Sequence, residues 1–228
     1  MIVELDLETA SEVQLVGPKG VGAWKYAEHP STRVLSLSYQ IDKGPVRLWI
    51  PGWKFPQALR AAIDLGATFV AHNAQFEKAI WWHVLPRHDV RIGYPSNWRC
   101  TLAACAYRAL PQGLDAAGEA LNLPIQKDKR GKYLIQRLCK RHKPSKKWPT
   151  GWVRPEGAKP KEAREAKGLL REMYRYNMTD VEVEGILDDT NGPLPEQEQM
   201  LWELSQAINE RGIQVDLEAV DETLEGGA

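Results

Sequence analysis

Few cysteines, no long apolar run and no net charge are found in this chain of 228 residues. The three cysteines (Cys100, Cys105 and Cys139) are odd in number and lack metal-binding spacing, which argues against a disulfide framework and a cysteine zinc site. Such usage is typical of a cytoplasm-like compartment that keeps thiols reduced. No stretch of roughly 18 apolar residues occurs, and no basic segment precedes an apolar one at the start, so we expect neither a membrane span nor a signal peptide.

The charges balance overall but are unevenly distributed. From Lys127 to Arg175 there are 17 Lys and Arg against 5 Asp and Glu, a net of +12, so the remainder carries −12. This asymmetry predicts an acidic body and a basic arm that meets a polyanion. The arm contains Lys146 and Lys147 beside two tryptophans, Trp148 and Trp152. Aromatic rings between cations can stack on unpaired bases; the alternative is a loop whose tryptophans pack on the body.

Periodicity and turn residues predict a strand-rich first part and a helix-rich second part. We expect strands at 2–7, 12–16, 33–41, 46–50 and 68–72. We expect helices near 56–65, 75–84, 100–109, 114–121, 131–141, 161–188 and 196–211. By themselves these patterns support an α/β or α+β fold. The Asn-Gly-Pro-Leu-Pro sequence at 191–195 predicts a boundary between a main domain, 1–190 with a basic insertion at about 127–160, and a helical tail, 191–228.

The first acidic motif stands at the end of the first predicted strand. Val3, Leu5 and Leu7 alternate there with Glu4, Asp6 and Glu8. A period of two places Asp6 and Glu8 on the same face of the strand, about 6.6 Å apart. Two like charges this close favour a cation, and the hard carboxylate oxygens suit Mg²⁺ or Mn²⁺. Alternatively, the two acids are the solvated end of a strand.

The second motif follows the strand predicted at 68–72. Asn73 stands where a helix N-cap is wanted, and its side chain can accept free amide hydrogen bonds. Glu77 lies in the first turn or so of the following helix, near its positive end. Taken alone, the two residues are equally well explained as a cap and a charge that suits the helix dipole.

The third motif lies late in the long helix predicted from 161. Tyr176 and Asp180 are four residues apart and therefore share one helix face. A tyrosine at this spacing can place its hydroxyl near a water carried by an ion on the aspartate. The alternative is an amphipathic helix with Tyr176 in the core and Asp180 in solvent.

Together the motifs resemble those of the 3′–5′ proofreading exonucleases with a tyrosine in the third motif, the DEDDy group of the ribonuclease H-like superfamily. The matching residues are, in chain order, Asp6 and Glu8; Asn73, Phe76 and Glu77; Tyr176 and Asp180. The sister group has a histidine directly before the tyrosine position, where this chain has Arg175. The runs 127–135 and 202–216 also resemble the exonuclease region of phage-type family A DNA polymerases, in which the second run leads into the polymerase domain.

The resemblance implies a ribonuclease H-like fold, with a mixed central sheet flanked by helices. It also implies a metal-dependent enzyme that removes nucleoside 5′-monophosphates from the 3′ end of DNA, preferring single strands. The chain would act in the cytoplasm of a bacterial or phage-infected cell, with a polymerase domain or subunit as a candidate partner.

The resemblance further implies two divalent ions, Mg²⁺ or Mn²⁺, roughly 3.5–4 Å apart. Asp6 would bridge them, with Glu8 and Asp180 on the first ion and Glu77 on the second. Tyr176 would orient the attacking water. The residues expected to contact the substrate are Leu7, Thr9, His72, Asn73, Phe76, Lys146 and Lys147. For His72, packing at the end of a strand is the alternative.

Two residues depart from the family pattern. Glu77 stands where the second motif usually ends in aspartate, and Asn177 stands where the family often has cysteine. The extra methylene of Glu77 lengthens its reach by about 1.5 Å, close to one carbon–carbon bond. Glu77 in place of aspartate leaves a non-catalytic nucleic-acid-binding module as one alternative. An exonuclease of the same superfamily that acts on RNA is another, because the sequence does not separate the two substrates.

Overall fold

The computed structural model describes residues 1–88, 92–125 and 130–226. By its internal contacts the chain divides into two compact units, Met1–Leu194 and Pro195–Ala228. The positions Lys127 to Lys129, with which the basic arm was predicted to begin, lie outside the described residues.

A five-stranded mixed sheet forms the centre of the first unit. Its strands are β1 (Ile2–Ala10), β2 (Arg33–Ile41), β3 (Arg47–Trp49), β4 (Thr68–Ala71) and β5 (Asn97–Cys100), in the spatial order β3-β2-β1-β4-β5. β2 is antiparallel to both β1 and β3, whereas β4 runs parallel to β1 and β5. β1 is therefore a central strand and carries its acidic residues into the middle of the fold.

Seven α-helices of the first unit's described part flank this sheet. They are α1 (Gly22–Glu28), α2 (Gln57–Asp64), α3 (Ala74–His83), α4 (Thr101–Tyr107), α5 (Leu114–Ala120), α6 (Gly131–Leu138) and α7 (Pro160–Asn191). The long α7 packs against β1, β2 and β3, and α3 packs against β1, β4 and β5. The strand order and directions are those of a ribonuclease H-like sheet, so the predicted fold class is confirmed.

Aromatic rings fill the core beside β4 and β5. Phe69 of β4 packs edge-on against Trp81 of α3, with ring centroids 5.5 Å apart, and Trp81 in turn contacts Trp98 of β5. Each such pair adds about 0.5–1.5 kcal/mol beyond the area that it buries. This cluster attaches α3 firmly to the parallel half of the sheet, which matters because α3 carries Glu77.

A second core cluster ties the basic arm to the body. Leu134 and Leu138 of α6 pack with Met173 of α7, and Trp148 joins them at 5% exposure. Trp152 is partly buried against the same cluster, with the Arg33 guanidinium 4.6 Å from its ring centroid. Of the two alternatives, packing on the body therefore describes Trp148, which covers the apolar faces of α6 and α7.

One local prediction was wrong, and two short elements were missed. Residues 12–16 do not form a strand; they are held by an isolated bridge between Gln14 and Gly20 and by the Gly22 N–H, which donates to the Leu15 carbonyl at 3.2 Å. The helix α1 was missed because its seven residues are too few to show a clear period. The strand β5 was missed because its residues, 97–100, mix polar and apolar types and lack the run of β-branched residues that usually indicates a strand.

The second unit contains two helices in its described part, α8 (Glu196–Arg211) and α9 (Leu217–Gly226). Apolar side chains on both helices are exposed, among them Leu204 at 57% and Leu224 at 72%. No helix in the described part of the chain is both long and apolar enough to span a bilayer.

Candidate active site

The central strand β1 sets the position of two acids. Asp6 and Glu8 alternate with buried Leu5 and Leu7, so both carboxylates lie on the face that α7 covers. Asp6 pairs across the ladder with Ser38, and Glu8 with Ser36, before the register shifts between Glu8 and Thr9. Asp6 is half-buried and Glu8 is buried, so both charges are removed from most of the solvent.

Asp180 of α7 meets these two acids. One carboxylate oxygen from each of Asp6, Glu8 and Asp180 lies within 4.8 Å of the others. Asp180 is 3% exposed, so the three like charges are concentrated where solvent screens them poorly. Three converging hard oxygen donors are compatible with a divalent cation, which would offset their repulsion.

Glu77 lies in the first turn of α3 and is 2% exposed. Burial raises the pKa of its carboxyl well above the usual range, and the neighbouring Asp6 raises it further. Its Oε2 is buried without a hydrogen-bond partner among the described residues. Glu77 is not one of the three tightly grouped acids; among them, Asp6 contributes most to its raised pKa.

Tyr176 lies one helical turn before Asp180 and is buried at 2% exposure. Burial raises the pKa of its phenol, and the charges of Asp180, Glu8 and Asp6 add to the shift. The hydroxyl is therefore neutral and can donate a hydrogen bond within the acidic site. Tyr176 and Asp180 lie on one face of α7 as the spacing predicted, although Asp180 is buried rather than solvated.

Asn177 is a site residue whose role the sequence did not reveal. Its Nδ2 donates to the backbone oxygen of Asp6 at 3.2 Å and also to the Asp6 carboxylate. Its Oδ1 accepts a hydrogen bond of 2.6 Å from Ser38 Oγ, which fixes the amide orientation. The only signal was its spacing of three residues before Asp180, which places it on the same helix face.

A cavity of about 280 Å³ adjoins Glu8. Leu7, Glu8, Thr9 and Phe76 line it, as does Tyr26 of α1, whose hydroxyl lies 2.9 Å from Thr9 Oγ1. Three predicted substrate residues, Leu7, Thr9 and Phe76, are thus brought together. Tyr26 was missed because nothing in its sequence surroundings connects α1 with β1.

The other residues of the second motif, His72, Asn73 and Glu77, do not line this cavity. Asn73 is the N-cap of α3 with φ 77°, but its exposed side chain makes no capping hydrogen bond, so the predicted side-chain cap is wrong. The turn is held instead by the Phe76 N–H, which donates to the Asn73 carbonyl at 2.9 Å. The His72 ring lies 2.9 Å from Thr101 Oγ1 and 2.8 Å from the Gln112 carbonyl oxygen.

Comparisons with known proteins find sequence similarity to a DNA polymerase. No protein-family model matches it. The chain is 31% identical over 225 residues to a DNA polymerase of Bacillus phage SP02, a match that covers 96% of this chain and 32% of the relative. The chain thus spans about a third of that relative's length.

Two solved structures show a loose likeness to the fold. One is a nuclease in its apo form, with TM-score 0.48 and 14% identity, covering 90% of this chain and 81% of that chain. The other is a family B DNA polymerase from the archaeon Pyrobaculum calidifontis, with TM-score 0.42 and 14% identity, covering 83% of this chain and 24% of that chain. The assignment of fold comes from the sheet itself, since both TM-scores are below 0.5.

The predicted lysines of the basic arm are exposed and are not part of the acidic cluster. Lys147 Nζ lies 2.6 Å from Glu165 Oε2 of α7 and 5.8 Å from the Trp148 ring centroid. Lys146 is exposed beside it. A different residue of the arm contacts the acidic cluster: the Cys139 Sγ lies 3.8 Å from Glu8 Oε2.

Proposed function

We propose that this chain is a metal-dependent 3′–5′ exonuclease that acts on DNA and prefers single strands. The observation that carries the proposal is the convergence of Asp6, Glu8 and Asp180, whose carboxylate oxygens lie within 4.8 Å of one another although the residues come from opposite ends of the first unit. The identity with a phage DNA polymerase supports DNA as the substrate. It also supports action in a bacterial or phage-infected cell.

The donor set fits two divalent ions. All candidate ligands are carboxylates, which Mg²⁺ and Mn²⁺ prefer, and a buried Glu77 oxygen without a partner is a donor that a cation would satisfy. Asp6, Glu8 and Asp180 would hold one ion, and Asp6 with Glu77 would hold the other. When bound, such ions lower the pKa of a water and stabilise the leaving oxygen of a phosphodiester.

The protein residues position the reactants. The neutral Tyr176 hydroxyl would donate to or orient the attacking water, since it stands one helical turn from Asp180. Asn177 holds Asp6 in place through its two donor contacts. The proposed reaction is the in-line hydrolysis of the last phosphodiester bond. It releases a nucleoside 5′-monophosphate and leaves a strand that is one nucleotide shorter.

The cavity beside Glu8 would receive the terminal nucleotide. Its apolar lining, which includes Leu7 and Phe76, suits the faces of a base and sugar, and the Thr9–Tyr26 hydroxyl pair offers polar contacts. A paired end would have to separate before its last nucleotide entered, which is why we expect single strands to be preferred. Lys146 and Lys147, with His72 and Asn73, would contact the strand outside the cavity.

In this proposal the domain organisation is the one predicted from the sequence. Residues 1–190 would be the exonuclease domain, with the insertion at about 127–160, and residues 191–228 would be a helical tail resembling the start of a polymerase domain. A polymerase domain or subunit would then be the partner of the exonuclease.

A digestion assay tests the proposal. A 5′-labelled single-stranded DNA oligomer should shorten stepwise with Mg²⁺ or Mn²⁺ and remain intact with EDTA. Asp6→Ala and Asp180→Ala should abolish the shortening, whereas Asp64→Ala, which alters an exposed acid on α2, should not. Retained digestion in both site variants contradicts the proposal.

Matched substrates separate the alternatives. Equal or faster shortening of an RNA oligomer of the same sequence would reassign the chain to RNA. Binding of single strands without any metal-dependent digestion would reassign it to a non-catalytic module.

A further inference from the structure

The helix α7 carries a buried acid to which the proposed reaction assigns no role. Glu184 lies one helical turn beyond Asp180, on the same face, and is 1% exposed. Its Oε1 is buried and has no hydrogen-bond partner among the described residues. A buried carboxylate without a partner is costly, so its presence calls for a physical account.

Two cations described on neighbouring elements, Lys43 and Arg99, already bind other acids. Lys43 Nζ lies 2.7 Å from Glu4 Oε1 and 2.9 Å from Asp189 Oδ1. Arg99 pairs with Asp188, the residue one further turn along α7. Glu4 Oε1 and Asp188 are thus paired with protein cations. Glu184 Oε1 has no partner among the described residues, and the same holds for the second Glu4 oxygen, Oε2.

The charged groups that face Glu184 belong to the acidic site. After burial, Asp6 and then Glu77 contribute most to the raised pKa of Glu184, followed by Cys100 and Asp188. Glu77 has a buried oxygen of its own without a partner. Two buried carboxylate oxygens, Glu77 Oε2 and Glu184 Oε1, therefore have no hydrogen-bond partner among the described residues.

We propose that Glu184 supplies a further carboxylate to the divalent ion that Asp6 and Glu77 hold, directly or through one of its waters. This inference rests on the proposed function and assigns that ion a third acidic residue of the chain. It also explains the unpartnered buried oxygens of Glu77 and Glu184 together. Both residues have long side chains, and they belong to different helices, α3 and α7.

Counting bound ions tests this inference. Mn²⁺ is titrated into the wild-type protein, Glu184→Gln and Glu182→Gln, with free Mn²⁺ followed by electron paramagnetic resonance. The titration is repeated with a nucleoside 5′-monophosphate present. Glu182 is exposed on the same helix, so its variant is a matched control for charge and helix position. We expect two ions in the wild type and in Glu182→Gln, and the weaker site of Glu184→Gln to lose at least about tenfold in affinity.

The opposite result has a clear structural meaning. If Glu184→Gln binds two ions as tightly as the wild type, Glu184 and Glu77 share a proton rather than a metal, and the inference is overturned. Unfolding in EDTA, followed by circular dichroism, controls for folding; we expect Glu184→Gln to be at least as stable as the wild type. If it does not fold, Glu184→Asp takes its place, and an unchanged second site in that variant overturns the inference equally.

The experiment separates this inference from the proposed function. If the wild type binds two ions and digests DNA, and Glu184→Gln binds both ions equally well, only the role of Glu184 is rejected. If binding of the second ion depends on Glu184 but no strand is digested, the exonuclease function is rejected and Glu184 remains a metal ligand. A wild type that neither binds Mn²⁺ nor digests DNA removes both.

Discussion

The backbone of Gly131 lies directly against the ring of Tyr176. A Cβ atom at residue 131 would come within 3.0 Å of three ring atoms of Tyr176, Cε2, Cζ and Cδ2. Gly131 begins α6, the first helix of the basic arm, whereas Tyr176 belongs to α7. The arm therefore bounds the position of the phenol that we propose to orient the attacking water.

Substitution of this glycine should slow the reaction by displacing the phenol. In Gly131→Ala the methyl group overlaps the ring, so Tyr176 or α6 must shift. Because misplacement by about 1 Å can cost 10²-fold in rate, we expect a fall of roughly 10- to 100-fold in kcat on a single-stranded oligomer. Gly168→Ala on α7 is the control, because a Cβ there meets nothing within 4 Å. A full rate in Gly131→Ala would contradict the proposed role of Tyr176.

Loss of the Asn177 amide should weaken the metal site. Asn177→Ala removes both donors to Asp6 and leaves the Ser38 hydroxyl without its acceptor. Residues that orient a metal ligand typically contribute 10- to 100-fold to metal affinity or activity, and we expect a loss of about that size in Mn²⁺ affinity and digestion rate. Ser38→Ala should lose less, since it only frees the amide to rotate. An Asn177→Ala protein with wild-type Mn²⁺ affinity would show that Asp6 needs no such support.

Divalent metal should stabilise the folded protein. The acids gathered around Asp6 repel one another, and an ion that binds the folded state alone adds about 2.7 kcal/mol at 100 times its Kd. We expect Tm to rise on addition of Mn²⁺ and to fall back with EDTA. Asp6→Asn should reverse this pattern, with a higher Tm in EDTA than the wild type and little response to Mn²⁺. Equal responses in the two proteins would place the bound ions elsewhere.

In the absence of metal, stability should decrease as the pH rises above the usual carboxyl range. Glu77 and Glu184 have raised pKa values in the folded protein, mainly through burial. The folded state therefore retains their protons at pH values where the unfolded chain has lost them. By linkage, the contribution is fully present below the unfolded pKa and is lost as the pH rises towards the folded pKa.

Denaturation in EDTA at a series of pH values measures this effect. The double variant Glu77→Gln/Glu184→Gln should show a smaller decrease between about pH 5 and pH 8, a window that begins above the usual pKa of a carboxyl group. An identical pH profile in the wild type and the double variant would show that the two carboxyls titrate normally.

Geometry within single elements could be predicted from the sequence. The alternation along β1 placed Asp6 and Glu8 on one face, and the spacing of four along α7 placed Tyr176 beside Asp180. Both predictions need only the period of a strand or a helix, which a local sequence carries. The breaks at glycine and proline likewise located most helices to within a few residues.

Contacts between distant segments were decided by the tertiary structure. Asn177 bonds Asp6 across 171 positions, Gly131 limits Tyr176, Tyr26 completes the cavity beside Thr9, and Trp148 is buried under α6 and α7. None of these pairings has a local pattern, because each depends on how helices from distant parts of the chain pack on the sheet or on one another. The sequence by itself determined which side chains share a face of β1 or α7; only the packing of those faces decided which of them meet, and which buried oxygens are left for a cation.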